Sequence, residues 1–283
     1  MNVLSFDIEE WFHLLDFGAT EGEEQWNGFE TRIYGNMDRI FQLLEETNTK
    51  ATFFILGWIA KTYPDVVRRI AEKNQIGTHT MNHQLVWKQS RESFKEDVTS
   101  SIKLLEDITG QKVECFRAPG YSIRESEAWA FEILSEAGIK YDSSVFPATH
   151  AHGGMPSFGG DAEPSIITHN GVEMKEFPIS AKRIMGKSLV FSGGGYFRLL
   201  PYCLINRFSK QCGDYLLSYI HPRDLDAEQP MLEGLPLKRR FKSYVGLKSA
   251  EKKLRKYLSD YRFTDIETAA ARIDWTSVPV VAI

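Results

Sequence analysis

The chain has 283 residues, 42% of them hydrophobic and 25% charged, and a formal net charge of −4. That length suits one large α/β core as well as two small domains, and the charge balance excludes the basic field that nucleic acid or an anionic lipid surface would require. Three cysteines, Cys115, Cys203 and Cys212, lack CxxC spacing, which argues against a disulfide framework and for small, buried, reduced thiols in a cytosolic setting.

The first segment, Met1 to Glu10, has no basic start and carries acids where a secretion signal would be apolar. The expectation is an unprocessed start and a cytoplasmic protein, with no apolar run near the roughly 18 residues of a membrane span. Val3 to Asp7 reads as a short buried strand that stops at an acidic cluster. After an acidic, glycine-containing loop, Met37, Ile40, Phe41, Leu43 and Leu44 have helical spacing, and Ala51 to Leu56 is the next strand, ended by Gly57. Pro64 suits the first turn of a helix carrying Val66, Val67 and Ile70, and Gln75 to Thr80 returns as a strand.

That strand runs into His79-Thr80-Met81-Asn82-His83, two imidazoles four positions apart that one helical turn would aim at a common point. Neutral imidazole suits zinc and its first-row neighbours, and a catalytic zinc site needs a third protein ligand and one open position. A pair of solvated surface histidines would show the same spacing.

The alternation continues with an amphipathic helix from Glu92 to Ile108 closed by Gly110, then a strand at 113–116 leading into Arg117-Ala118-Pro119-Gly120-Tyr121. A helix from Glu127 to Ala137, stopped by Gly138, precedes a strand from Ile139 that ends in Asp142-Ser143-Ser144. Ile166 to Phe177, split by Asn170-Gly171, reads as a β-hairpin insertion. The run Gly193-Gly194-Gly195 lacks a following Lys-Ser/Thr and reads as a tight turn or close backbone approach rather than a phosphate loop. Asp214 to Ile220 is the last strong strand and delivers His221, and Ala250 to Leu258 is an amphipathic helix before an apolar tail, Val280 to Ile283. His150 and His152 fall in a glycine-containing loop and read as solvated.

Strands alternating with helices imply parallel pairing, with every strand's C-terminal end on one side. Asp7, His79, Arg117, Asp142 and His221 all fall at such ends, where α/β barrels gather their chemistry.

With these residues in hand, the chain resembles the polysaccharide deacetylase family, the NodB-homology or carbohydrate esterase family 4 hydrolases. The likeness rests on Phe6-Asp7-Ile8-Glu9, His79 to His83, Arg117 to Tyr121, Ser218-Tyr219-Ile220-His221-Pro222 and, more weakly, Asp142-Ser143-Ser144. Ala51 to Trp58 and Phe241 to Leu258 further resemble a subgroup associated with exopolysaccharide and exosortase loci. The resemblance implies a distorted (β/α) barrel with fewer than eight units, as one domain over 1–283, with a barrel core over about 1–226 and a C-terminal helical extension over about 227–283. It also implies one divalent metal, with zinc the first choice, and removal of the N-acetyl group from an amino sugar in a surface polysaccharide or its precursor. By family correspondence Asp7 is the base, His221 the general acid and Arg117 the group that orients Asp7, with Asp142 a fourth catalytic position. Tyr121, Gly120 and Trp11 are the candidate substrate contacts. The partner implied is an amino sugar or oligosaccharide, and oligomeric state has no readable signature.

The third metal ligand departs from the family's adjacent aspartates, because Ile8 separates Asp7 from Glu9. In an extended segment residues 7 and 9 point the same way and 8 the opposite way, so Glu9 can share a site with Asp7, His79 and His83 while Glu10 faces away. The added methylene of glutamate moves its carboxylate by about 1 Å, which matters in a preorganised site. Two other readings stay open: hydrolysis of another carbon-nitrogen bond, as in a formamide or cyclic amide, and a sugar-binding relative with little catalysis.

Overall fold

A computed structural model describes residues 1–158, 163–184 and 187–283. Its strands are β1 (Asn2–Ile8), β2 (Thr52–Ile55), β3 (Gln75–Thr78), β4 (Cys115–Phe116), β5 (Tyr141–Asp142), β6 (Ser165–His169), β7 (Val172–Glu176), β8 (Lys182–Ile184), β9 (Lys187–Leu189), β10 (Leu216–Ile220) and β11 (Val280–Ala282). The helices are α1 (Glu23–Trp26), α2 (Ile33–Glu46), α3 (Gly57–Thr62), α4 (Pro64–Ala71), α5 (Arg91–Thr109), α6 (Trp129–Glu136), α7 (Gly194–Leu199), α8 (Tyr202–Lys210), α9 (Leu237–Tyr244), α10 (Leu247–Asp260) and α11 (Ile266–Ala270).

One nine-stranded sheet has the order β10-β1-β2-β3-β4-β5-β7-β6-β11. From β10 to β7 every neighbouring pair is parallel, so the strands' C-terminal ends share one rim. This is the expected distorted barrel, but among the described residues its ladder does not close. Between β10 and β7 the gap is bridged by side chains: Tyr215 Oη donates to the Pro178 carbonyl (2.7 Å), Leu217 N to Ser180 Oγ (2.8 Å), and Ser192 Oγ to the Leu217 carbonyl (2.7 Å). Serine hydroxyls satisfy strand-edge groups that a further strand would otherwise cover.

β1, β2 and β3 are buried on both faces along nearly their whole length, as parallel strands covered by helices are. Helix ends follow local chemistry. Ser90 accepts from Ser93 N at the start of α5, and Gly110 takes the left-handed conformation (φ 68°) at its end. The hairpin over Asn170-Gly171 forms, yet it is no insertion: β7 pairs with β5 in parallel, Asp142 opposite Glu176, and so extends the main sheet. The apolar tail also differs from a simple helical extension, since β11 adds to β6. Of the cysteines only Cys115 is buried; Cys203 is exposed and Cys212 half-buried.

Two glycines are set by close approach. At Gly193 a Cβ would run into the ring of Tyr219 and lie 2.6 Å from its carbonyl oxygen, so the glycine run is a backbone contact, as its spacing suggests. Gly57 opens α3 against the histidine loop: its N donates to the Thr80 carbonyl (2.8 Å) and Trp58 N to the Met81 carbonyl (3.1 Å). A Cβ there would strike the Met81 sulfur and come within 2.9 Å of Met81 Cα. Gly57→Ala is therefore expected to lower stability by about 1–3 kcal/mol by pushing α3 off the loop, seen as a lower urea midpoint with an unchanged slope.

Candidate active site

The strand β1 carries Asp7 and places Glu9 just beyond its end. Alternation puts Ile8 fully in the core and turns Asp7 and Glu9 to the same side. Glu10 does face away, and it has a task the sequence did not show: its Oε1 accepts from Thr31 Oγ1 (2.6 Å), Arg32 N (2.7 Å) and Ile33 N (2.9 Å), capping α2 from outside that helix.

Beyond β3 the chain does not form the helical turn that His-x-x-x-His suggests. Thr80 (φ 66°) and His83 (φ 55°) are left-handed, a conformation disfavoured for side-chain-bearing residues. Asp97, midway along α5, holds the loop: its Oδ2 accepts from Met81 N (3.0 Å), and its Oδ1 from Asn82 N (3.1 Å) and Asn82 Nδ2 (2.7 Å). The result brings Glu9, His79 and His83 together, with one donor atom of each lying within 4.8 Å of the others.

This donor set fits a divalent ion. His79 Nδ1 lies 2.7 Å from the Arg117 carbonyl, which can only accept, so the ring hydrogen sits there. His79 Nε2 then presents a lone pair 3.0 Å from Glu9 Oε1, and His83 Nε2 lies 2.9 Å from the same oxygen. As neutral imidazoles these nitrogens would turn lone pairs on the carboxylate, a repulsion that a metal ion between them removes, as a hydrogen on each Nε2 also would, and two imidazoles with a carboxylate are the chemistry of zinc and its neighbours. Burial alone would raise the Glu9 pKa; His83 and His79 beside it reverse that and hold it well below the usual carboxylate range.

Arg117, at the end of β4, is fully buried. Its Nη1 donates to Asp7 Oδ1 (2.6 Å) and Ser5 Oγ (2.9 Å), Nε to the Ser143 carbonyl (3.0 Å) and Nη2 to Ser143 Oγ (2.8 Å). Burial works against its charge and Asp7 more than offsets that, keeping the guanidinium above its ordinary pKa. With Oδ1 of Asp7 so held, Oδ2 faces His221, whose Nε2 is 3.8 Å away. His221 Nδ1 donates to Asp224 Oδ2 (3.0 Å), and Arg198 Nε lies 2.8 Å from the other oxygen of Asp224. Burial would lower the His221 pKa, but Asp224, Glu9 and Asp7 together raise it to about 9.

Asp7, Glu9, His83 and His221 line a cleft of about 680 Å³ on the C-terminal rim, together with Gly120 and Tyr121. Gly120 needs its left-handed φ of 60°, and a Cβ there would come within 2.7 Å of Leu15. Trp11 is a correction: it is buried, its Nε1 donates to the Glu30 carbonyl (2.9 Å), and it packs on Phe12 and Phe29, because an indole at that position satisfies both core and hydrogen bond. Asp142 is a second correction. It is buried away from the cleft, accepting from Ser144 Oγ (2.7 Å) and Ser144 N (3.0 Å), beside Glu176, whose pKa burial and Asp142 raise well above normal. It shapes the turn that carries Ser143 to Arg117 and touches nothing that reacts. His150 and His152 are corrected too: both are half-buried on the cleft wall, burial pulling His150 to about 4, and His152 Nδ1 sits 3.0 Å from Asp16.

The sequence reading missed Asp224, Asp97 and His13. Asp224, three residues after His221, had the spacing of a turn cap; Asp97 looks like any polar residue on a helix. His13 lines the cleft with its ring 6.0 Å from that of His83. Its Nδ1 accepts from Glu10 N (3.1 Å), so the hydrogen lies on Nε2, a buried donor without a partner among the described residues.

Comparison with known proteins agrees with this geometry. Residues 27–141 match the family model described as polysaccharide deacetylase, and residues 143–271 match a domain of unknown function (DUF3473). The chain is 33% identical over 96 residues to a peptidoglycan-N-acetylglucosamine deacetylase of Bacillus cereus, covering 33% of this chain and 35% of that one. It is 35% identical over 98 residues to a chitooligosaccharide deacetylase of Azorhizobium caulinodans, covering 34% of this chain and 44% of that one. Both alignments thus span less than half of the relative's length. A Mycobacterium smegmatis crystal structure, assigned as a polysaccharide deacetylase, has the same fold: TM-score 0.63 at 18% identity, covering 100% of this chain and 92% of that one. The fold is an α/β barrel with its candidate site on the C-terminal rim. Over residues 27–141 the chain matches the polysaccharide deacetylase family.

The Asp97 brace gives a direct test. Asp97→Ala frees the 80–83 loop, and zinc affinity is expected to fall about 10- to 100-fold by competitive chelator titration, with the stoichiometry of the wild-type chain near one.

Proposed function

We propose that this chain is a zinc-dependent hydrolase that removes the N-acetyl group from an amino sugar of a surface polysaccharide or its precursor. The observation that carries this reading is the convergence of Glu9, His79 and His83 beside a carboxylate and a histidine, Asp7 and His221, 3.8 Å apart on one cleft floor. A divalent ion held by those three residues would supply Lewis-acid polarisation of the amide carbonyl and acidify water at the site.

The chain's own residues do the rest. Arg117 fixes one oxygen of Asp7 and leaves the other free to take a proton from the attacking water. His221 is held by Asp224 through Nδ1, so Nε2 points at the cleft. Asp224 favours the protonated ring, and as an imidazolium His221 can give that proton to the departing amine. Arg117 thus holds the base in place and Asp224 the acid.

The test is acetate release from N-acetylglucosamine oligosaccharides by the zinc-loaded protein. His79→Ala and Asp7→Asn are each expected to lower kcat about 10³-fold or more, and zinc uptake without acetate release would sink the reading. The pH dependence supplies a second check. Since Asp224 raises the His221 pKa, Asp224→Asn lowers it, and His221 loses its proton at a lower pH. The alkaline limb of kcat is expected to move toward acid by about one pH unit or more, and an unmoved limb would exclude His221 as the acid.

A further inference from the structure

The cleft floor explains the hydrolytic groups, and its wall has a different character. Five cationic residues line it, Arg198, Arg223, Lys238, Arg239 and Lys242, against three anionic ones, Asp7, Glu9 and Asp224, in a chain of net charge −4. All three carboxylates are committed: Asp7 to Arg117, Glu9 to the two histidines, and Asp224 to Arg198 and His221. Arg198 is spent on Asp224 and on the carbonyls of Lys242, Ser243 and Val245. Arg239 donates to the carbonyls of Leu15 and Asp16.

Arg223, Lys238 and Lys242 have no carboxylate within ion-pair distance among the described residues. Arg223 is the strongest observation. Only 7% of its surface reaches solvent, and the one side-chain hydrogen bond found for it is a 3.5 Å contact with the Ser243 carbonyl. Burial lowers its pKa against the opposing pull of Asp224. A mostly buried guanidinium with one long hydrogen bond keeps donors free at the cleft, and its planar fork matches the oxygens of a carboxylate or phosphate. Tyr196, Leu199 and Phe241, which also line the wall, are 46%, 45% and 58% exposed, giving apolar faces on which sugar rings can rest.

We propose that this wall, centred on Arg223 with Lys238 and Lys242, is a subsite for an anionic group on the glycan. The favoured substrate is then an acidic saccharide, whose carboxylate or phosphate lies beside the acetamido sugar at the floor. This rests on the deacetylase reading above. α9, outside the barrel proper, supplies both lysines, so the C-terminal segment sets the substrate class while β1, β3, β4 and β10 set the chemistry.

The experiment compares three probes of matched length on the zinc-loaded protein: a neutral N-acetylglucosamine oligosaccharide, one alternating with glucuronate, and one bearing a 1-phosphate. At least one acidic probe is expected to show kcat/KM about 10-fold or more above the neutral one, with the advantage shrinking as salt is added. Which acidic probe gains tells uronate from phosphate. Arg223→Gln and the exposed double variant Lys238→Gln/Lys242→Gln should each lower the acidic-to-neutral ratio about 10-fold, whereas Arg240→Gln, on the same helix outside the cleft, should not. Turnover of the neutral probe with no acidic preference, and a ratio unmoved by either variant, overturns the subsite and leaves the deacetylase reading intact. If no probe releases acetate, the deacetylase reading falls, and calorimetry with the same probes decides the subsite. Tighter acidic binding lost in the double lysine variant supports it, and equal binding overturns it.

Discussion

The active centre hangs on one buried guanidinium. Arg117 is out of contact with water, packed over the Phe54 ring with 4.2 Å to its centroid, and every one of its partners is part of the site or of the strand beside it. Its side chain fixes Asp7 and Ser143 and its carbonyl fixes the tautomer of His79. A buried cation that loses a partner costs several kcal/mol, so β1, β3, β4 and the exit of β5 are held in one arrangement by the same group. Asp7 and His79 therefore cannot drift independently.

A second brace of the same kind stands across the cleft. Asp224 joins His221 to Arg198, and Arg198 in turn gathers three carbonyls at the end of α9. The acid of the proposed reaction is thereby tied to the C-terminal segment. Lys253 of α10 extends that tie by donating to the carbonyls of Phe197, Arg198 and Leu200. What reads in the sequence as an appendage is built into the wall of the site, and residues 143–271 match a domain whose function is unknown. The two halves of the chain divide the work: the first brings the proposed metal triad and base, the second the acid and the cleft's cationic wall.

Much of the barrel was legible because local rules decide it. Alternating strand and helix patterns, Gly110 and Gly138 at helix ends, and Asn170-Gly171 at a two-residue turn depend on neighbours within a few positions. The polar residues at strand ends were legible for the same reason, since a parallel strand's register places them on the rim whatever the rest of the chain does. The alternation at Asp7, Ile8 and Glu9 was enough to set Glu9 beside Asp7.

The remainder was beyond local pattern. Trp11 and Asp142 have the residue types and the neighbourhood of site residues, and only packing shows that one fills the core and the other braces a turn. Asp97, 14 residues after His83 in sequence, and Asp224 act through contacts that no periodicity encodes. The sequence by itself determined the strand order of the chemistry and the identity of the converging histidines, because period and turn residues are properties of short segments. The tertiary structure alone decided which carboxylates are free to react, how the sheet's open side is bridged, and that a basic helix faces the cleft. Those depend on which distant groups neutralise one another, and charge and burial are settled only when the whole chain has folded.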